Sequence, residues 1–173
     1  MLKKPRGTQD LFYESNDEFD LISNYCQYVA LRRNYRKIET PTFEDIKVFA
    51  RKNDTSDLVQ KELFDFKDKS ERHISLKPEG TASVIRAVTE NKLLLKETLP
   101  LKFFYNSSFF RYERPQSGRL REFHQFGIEK IGIKTIYDQF EGLVIAHEIV
   151  SGLGLKNYSL KINFIDTTKK LKR

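Results

Sequence analysis

"LKFFYNSSFFRYERPQSGRLREFHQFGIEKIG", residues 101–132, is the stretch that decides the fold. Its opening, "LKFFYNSSFFRYE", is too aromatic and alternates too regularly for a helix, and it predicts one long strand. A loop holding Pro115, Ser117 and Gly118 follows, and a second long strand is expected from Glu122 to Gly132. Side chains along a strand point alternately to opposite faces. Phe109, Arg111 and Glu113 therefore share one face, and Phe110 and Tyr112 take the other. On the return strand Phe123, Gln125, Gly127, Glu129 and Ile131 share a face, with His124, Phe126 and Ile128 opposite. The apolar face suits packing on helices and makes His124 a core histidine. The polar face sets Arg, Glu, Gln and Glu around a glycine whose missing side chain leaves room for a ligand to approach the sheet.

Outward from this pair, the sequence alternates helices with short extended segments. From Asp17 to Arg36 apolar residues recur at spacings of three and four, the mark of an amphipathic helix, with Ser15 or Asn16 available as its N-cap. "KIETPTFE" follows, where β-branched residues and Pro41 favour extended backbone, and then a short helix through "DIKVFARK". "LFDFKDKSERHISLKPEG" alternates on both sides of a charged turn, as a hairpin does. "TASVIRAVTENKLLL" returns to helical spacing. "IYDQFEGLVIAHEIVSGLG" predicts a helix capped by Gly152 or Gly154, and "YSLKINFI" a last strand. Mostly antiparallel strands with helices laid against them give an α+β domain, and no repeat or linker divides it.

Composition narrows the partners. Lys+Arg 31 against Asp+Glu 24 gives a net charge of +7, which favours a polyanionic ligand. The single cysteine, Cys26, excludes an internal disulfide and a cysteine-based metal cluster, and reads as a buried helix thiol. No run approaches the roughly 18 apolar residues of a membrane span, so the expectation is a soluble, cytosolic protein. Arg111, Arg114, Arg119 and Arg121 outnumber the carboxylates beside them, Glu113 and Glu122. Guanidinium forks match phosphate oxygens bidentately and stay charged. Phe123 offers a ring on which a base can stack, and Gln125 and Glu129 suit a small polar cation. The stretch thus predicts a nucleoside triphosphate site beside a ligand that carries an amino group.

These residues resemble a known family. "FRYE", a loop and "RLREF" resemble motif 2 of class II aminoacyl-tRNA synthetases, and "ERPQSGRLREFHQFGIE" is close to the form found in histidyl-tRNA synthetases. "RGTQDL" at Arg6 to Leu11, "YRKIETPTFE" around Pro41, which resembles motif 1, and "LKPEGTA" at Leu76 to Ala82 fall in the same order. The resemblance implies an antiparallel sheet flanked by helices and a homodimer interface at motif 1. It implies that Arg111 holds the ATP α-phosphate as the catalytic charge, that Glu113 accepts from the adenine amino group, and that Phe123 stacks on adenine. Arg119 and Arg121 complete the ATP site. Glu79, Gly80, Thr81, Arg111, Gln125 and Glu129 surround histidine, while Arg114, Gln116 and Arg121 lie near the tRNA acceptor end. The implied substrates are histidine, ATP with Mg²⁺ held through its phosphates, and tRNA(His).

Two positions depart from the family pattern. Asn34 stands where glycine is usual, which affects the helix exit, and Lys77 replaces the arginine before "PEGT", which weakens a bidentate contact there. The resemblance further implies that residues 1–173 are the N-terminal portion of a catalytic domain, without motif 3 or the anticodon-binding domain, and inactive alone. A second reading is a non-catalytic paralogue such as the histidine-sensing regulatory subunit of ATP phosphoribosyltransferase. Such a protein is expected to lose parts of the ATP apparatus, whereas Arg111, Glu113, Arg119 and Phe123 are all present. A general nucleic-acid-binding module explains the charge but needs no Glu79, Gln125, Glu129 set.

Overall fold

The two long strands form as their alternation predicts. In the computed structural model, which describes residues 1–50, 62–132 and 135–163, β5 (Leu101–Phe110) pairs antiparallel with β6 (Glu122–Ile131) along its whole length, Phe109 opposite Phe123 and Phe103 opposite Glu129. Before them come α1 (Glu14–Leu31), β1 (Arg36–Lys37), β2 (Phe43–Asp45), β3 (Asp65–Lys67), β4 (His73–Leu76), α2 (Thr81–Glu90) and α3 (Leu93–Lys96); α4 (Ile136–Gly152) follows. β1 joins the long pair by parallel pairing to β5, giving the order β1-β5-β6, while β2, β4 and β3 make a separate antiparallel sheet.

Both faces of the long pair are covered by helices, whereas one apolar face was expected. The Phe104, Phe126 and Ile128 side packs on Val29 and Ala30 of α1, on Tyr35, and on Ile145 and Ile149 of α4. The Leu101, Tyr105 and Phe109 side packs on Val84 and Val88 of α2, with Phe103, Phe123 and Ile131 at its margin. Of the polar residues of this second face, Gln125 opposes Ser107 and Glu129 opposes Phe103, and Glu129 meets the start of α2 through Thr81. Cys26 is buried on α1, and burial pushes its thiol up.

Ion pairs fasten α4 to the sheet. Lys102 and Lys130 both reach Glu141, at 2.7 and 2.6 Å; Lys130 also pairs with Asp138, and Arg33 with Glu148. A capping box starts the helix, Thr135 accepting from the Asp138 backbone and Asp138 from the Thr135 backbone. Thr135→Ala should cost about 1 kcal/mol in chemical denaturation, the usual worth of such a cap. The Lys130 ammonium first, then Thr135, hold the Asp138 carboxyl below its ordinary 3.8. A depressed carboxyl contributes stability above the unfolded value and loses it as pH falls through the folded one. Asp138→Asn should therefore be destabilising at pH 7 and much less so at pH 2 to 3, when denaturation midpoints are compared.

Several expected elements end elsewhere. α1 begins at Glu14 with no side-chain cap; Ser15 Oγ instead bonds Phe12, donating to its carbonyl at 2.8 Å. "DIKVFARK" makes only a 3-10 turn, Ile46–Val48, capped by Asp45, and its last two residues lie outside the described residues. The helix after Pro78 breaks at Lys92, which takes φ 55, so that α3 is a separate turn. "YSLKINFI" forms no strand over 158–163, where it has no ladder partner among the described residues; Leu160 and Ile162 are exposed, and the last two residues of the segment are outside them. The terminal "KKLKR" also lies outside the described residues. Gly154 follows α4 with φ 86, the expected glycine exit. Asn34 takes φ 61, a left-handed conformation that asparagine tolerates better than most residues, so the departure from glycine fits its helix exit.

Candidate active site

The site runs along the face of β5 and β6 that meets the N-terminus of α2, from Arg111, just past β5, to Glu129, opposite Phe103. Glu79 precedes α2 and caps it, its two oxygens accepting from the Thr81 and Ala82 backbone at 2.7 and 2.8 Å. A carboxylate has about four acceptor positions, so Glu79 can still receive an ammonium. Thr81 Oγ1 donates to Glu129 Oε1 at 2.6 Å, joining α2 to β6. Burial pushes the Glu129 carboxyl up and Glu79 adds to the rise, against the lowering effect of Thr81. Gln125 lies four residues before Glu129 on the same face, and its Oε1 is buried with no hydrogen-bond partner among the described residues. An orphaned acceptor on the same face as a desolvated carboxylate marks a place for a ligand with N–H donors.

The arginines separate into different roles. Arg111 follows β5; its Nε donates to the Pro78 carbonyl at 3.0 Å and its guanidinium lies over the Phe123 ring at 5.3 Å. The terminal nitrogens stay at the site, Nη1 3.9 Å from Glu113. Arg119 pairs with Glu113 at 3.3 Å across the loop, whose tip turns at Gly118, φ 75, between bridged Gln116 and Arg119. Arg114 and Gln116 are exposed on that loop. Glu62, Tyr112, Glu113, Arg114, Gln116 and Arg119 bound a cleft of about 300 Å³. Arg121 is held inside the loop base: it donates to the Glu113 carbonyl at 3.1 Å and stacks on Tyr112 at 4.0 Å. The Gly7 carbonyl accepts from the Arg121 backbone at 2.7 Å, so the "RGTQDL" segment closes the base of the loop.

Three expectations are revised by this geometry. The room above Gly127 is filled by Tyr105, since a Cβ built at Gly127 would overlap that ring; aromatic and glycine face each other across the ladder because they are opposite in register. His124 is exposed rather than core: it meets Phe19 of α1 edge-on at 4.5 Å and its Nε2 lies 3.3 Å from Ser108 Oγ, while the packed cluster on this face takes in Phe126 and Ile128. Lys77, where a weakened bidentate contact was expected, makes a buried structural contact instead. It is 2% exposed, donates to Ser107 Oγ at 2.8 Å and to the Thr40 carbonyl at 3.3 Å, and sits over Phe109 at 5.1 Å. Desolvation lowers its pKa, Glu39 and Glu44 opposing. Tyr105 and Lys77 carried no sequence signal of their role beyond Tyr105's position on the polar-face alternation.

Comparison with known proteins agrees with these elements. A family model described as histidyl-tRNA synthetase matches residues 7–173. The histidine–tRNA ligase of Ureaplasma urealyticum is 50% identical over 165 residues, 95% of this chain and 39% of that protein. The ligase of Malacoplasma penetrans is 48% identical over 95% of this chain and 39% of its own. Among solved structures, apo histidyl-tRNA synthetase of S. aureus superposes with a TM-score of 0.77 at 37% identity, covering 90% of this chain and 36% of that one. A Bacillus halodurans protein titled ATP phosphoribosyltransferase regulatory subunit/histidyl-tRNA synthetase superposes with a TM-score of 0.76 at 26% identity, covering 90% of this chain and 39% of that one. The chain spans about two fifths of the length of the curated relatives it matches.

Proposed function

The chain belongs to the histidyl-tRNA synthetase family, and we propose on that premise that it carries the motif 1 and motif 2 part of a class II catalytic domain which activates histidine with ATP and passes it to tRNA(His). The observation that carries this reading is the joining of two chemistries on one sheet face. A desolvated Glu129 and the orphaned Gln125 oxygen offer acceptors to a cation, and Arg111 is held by Pro78 and Phe123 with its Nη1 3.9 Å from Glu113.

Histidine's ammonium and imidazole N–H groups would be received by Glu79, Gln125 and Glu129, with Thr81 orienting Glu129. Its carboxylate oxygen attacks the α-phosphorus in line, the bond to the β-phosphate oxygen breaks, and pyrophosphate leaves. Arg111 stabilises the charge that gathers on the α-phosphate. Phe123, already facing a guanidinium, offers the stacking surface for adenine, and Glu113 its acceptor; Arg119 is free to swing from Glu113 to the γ-phosphate. A hydroxyl of the terminal tRNA ribose then attacks the acyl carbon and AMP departs, with Arg114 and Gln116 on the exposed loop near the acceptor end. Mg²⁺ would enter on the triphosphate and neutralise it. Arg111 and Arg119 would share in neutralising the phosphates. We place the homodimer interface at the motif 1 region around Pro41. Cytosolic location is part of the same reading; among the described residues no helix is long and apolar enough to cross a membrane.

The regulatory-subunit reading is weaker. The two solved neighbours differ little in fold similarity, but identity is 37% to the synthetase and 26% to the protein that also bears the regulatory title. The retained Arg111, Glu113 and Phe123 cluster has no use in a protein that only senses histidine. Histidine-dependent exchange of labelled pyrophosphate into ATP by the full-length protein is the deciding assay. Binding of histidine without exchange would favour the sensor and sink the ligase.

A further inference from the structure

Lys77 and Pro78 follow β4 and run beside the end of β5, which meets them residue for residue. The Phe110 N–H donates to the Lys77 carbonyl at 2.9 Å, and the next residue, Arg111, donates through Nε to the Pro78 carbonyl at 3.0 Å. On its other side the same link is tied to the segment around Pro41, the Lys77 N–H donating to the Thr42 carbonyl at 3.0 Å. Proline carries no N–H, so the direction of the Pro78 carbonyl depends on what holds the residues beside it.

The buried side chain of Lys77 completes the hold. Its ammonium donates to Ser107 Oγ at 2.8 Å and to the Thr40 carbonyl at 3.3 Å, with the Phe109 ring beneath it at 5.1 Å. One residue therefore takes the carbonyls on both sides of Pro41, that of Thr40 through Nζ and that of Thr42 through its backbone, and it reaches β5 at both Ser107 and Phe110. A buried ammonium is tolerated where its donors find acceptors. Here those acceptors lie on two segments distant in sequence, and one of them is the strand that delivers Arg111. A compact ammonium with rotatable donors suits such divergent partners better than a planar fork does.

We propose that Lys77 is a positioning residue of the activation step: its four hydrogen bonds, to Thr40, Thr42, Ser107 and Phe110, set the Pro78 carbonyl and through it the Arg111 guanidinium. The inference rests on the synthetase reading above and extends it from a group that meets the phosphate to the buried cation that places that group. Arg111 spends Nε on the Pro78 carbonyl and keeps its terminal nitrogens for the substrate, so a displaced carbonyl turns the whole fork.

The test uses the full-length protein in single-turnover formation of histidyl-adenylate at saturating histidine and ATP, with circular dichroism to show that each variant is folded. Lys77→Met keeps the length of the side chain and removes its donors. It should slow the chemical step about 10- to 100-fold, the scale of a small misplacement of a catalytic group. In an Arg111→Ala background the same substitution should change the rate by less than about twofold, because the group it places is gone. Losses that multiply across the two sites, or a Lys77→Met rate equal to the parent's, would overturn the inference. Ser107→Ala leaves the lysine in place and takes away one acceptor, so it decides the matter if Lys77→Met does not fold. It should slow the step by about three- to tenfold, the worth of one hydrogen bond to a charged group, and this loss too should vanish in the Arg111→Ala background. An unchanged rate, or a loss that persists there, would count against Lys77. A parent protein without histidine-dependent pyrophosphate exchange would remove the synthetase reading and this inference together; an active parent with multiplying losses would remove the inference alone.

Discussion

Arg111→Ala in the full-length protein is expected to lower the rate of histidine activation by 10²- to 10³-fold or more, the loss that follows removal of one preorganised donor at a developing charge. Arg111 is prepared for this work before any ligand arrives. Its Nε is bound to the Pro78 carbonyl at 3.0 Å and its plane lies over Phe123 at 5.3 Å, so the fork has little orientational freedom left to lose. Arg111→Lys should fall between the two, because an ammonium restores the charge but neither the fork nor the stack. Single-turnover rates with saturating histidine and ATP isolate the chemical step. If Arg111→Ala alters only substrate affinity, with the chemical rate intact, Arg111 is a binding group and the catalytic assignment fails. Because Nε also tethers the loop before α2, the melting temperatures of both variants must be compared with the parent.

How far the sequence foretold this arrangement depends on the range of the interaction. The alternation of "LKFFYNSSFF" and "EFHQFGIEKI" sorted Arg111, Gln125 and Glu129 onto one face because strand periodicity is local, and the register confirms the sorting. The hairpin of β3 and β4 was visible for the same reason. What escaped was set between elements distant in sequence. Gly127 looked like an open floor because nothing local says that the residue opposite it is Tyr105, with a second glycine, Gly80, closing from α2. The stacking of Arg121 on Tyr112 and its backbone tie to Gly7 were also beyond local reading, since they span the loop and the N-terminal segment. Apolar alternation in "YSLKINFI" is likewise insufficient for a strand over 158–163, where no edge among the described residues pairs with it.

Glu129 separates function from stability in opposite directions. Replacing it by Ala should weaken histidine activation by roughly 2–5 kcal/mol, the cost of leaving a desolvated ligand cation without its partner, while ATP affinity changes much less. Glu129→Gln keeps the shape and the bond from Thr81 but removes the charge, so most of the loss should persist. The unliganded protein should respond the other way. Burial first, and the neighbouring Glu79, raise the Glu129 carboxyl above its ordinary 4.5. A carboxyl raised in the folded state favours folding while protonated; that contribution is present below the unfolded value and lost as pH rises through the folded one. At pH 8 the ionised Glu129 is therefore a burden on the empty site, and Glu129→Gln should melt higher than the parent. At pH 4 the two should converge. Melts of the ligand-free protein at both pH values, paired with KM for histidine and for ATP, read the two effects independently. Equal losses for both substrates, or a lower melting temperature for Glu129→Gln at pH 8, would make Glu129 a support of the fold rather than the residue that reads histidine.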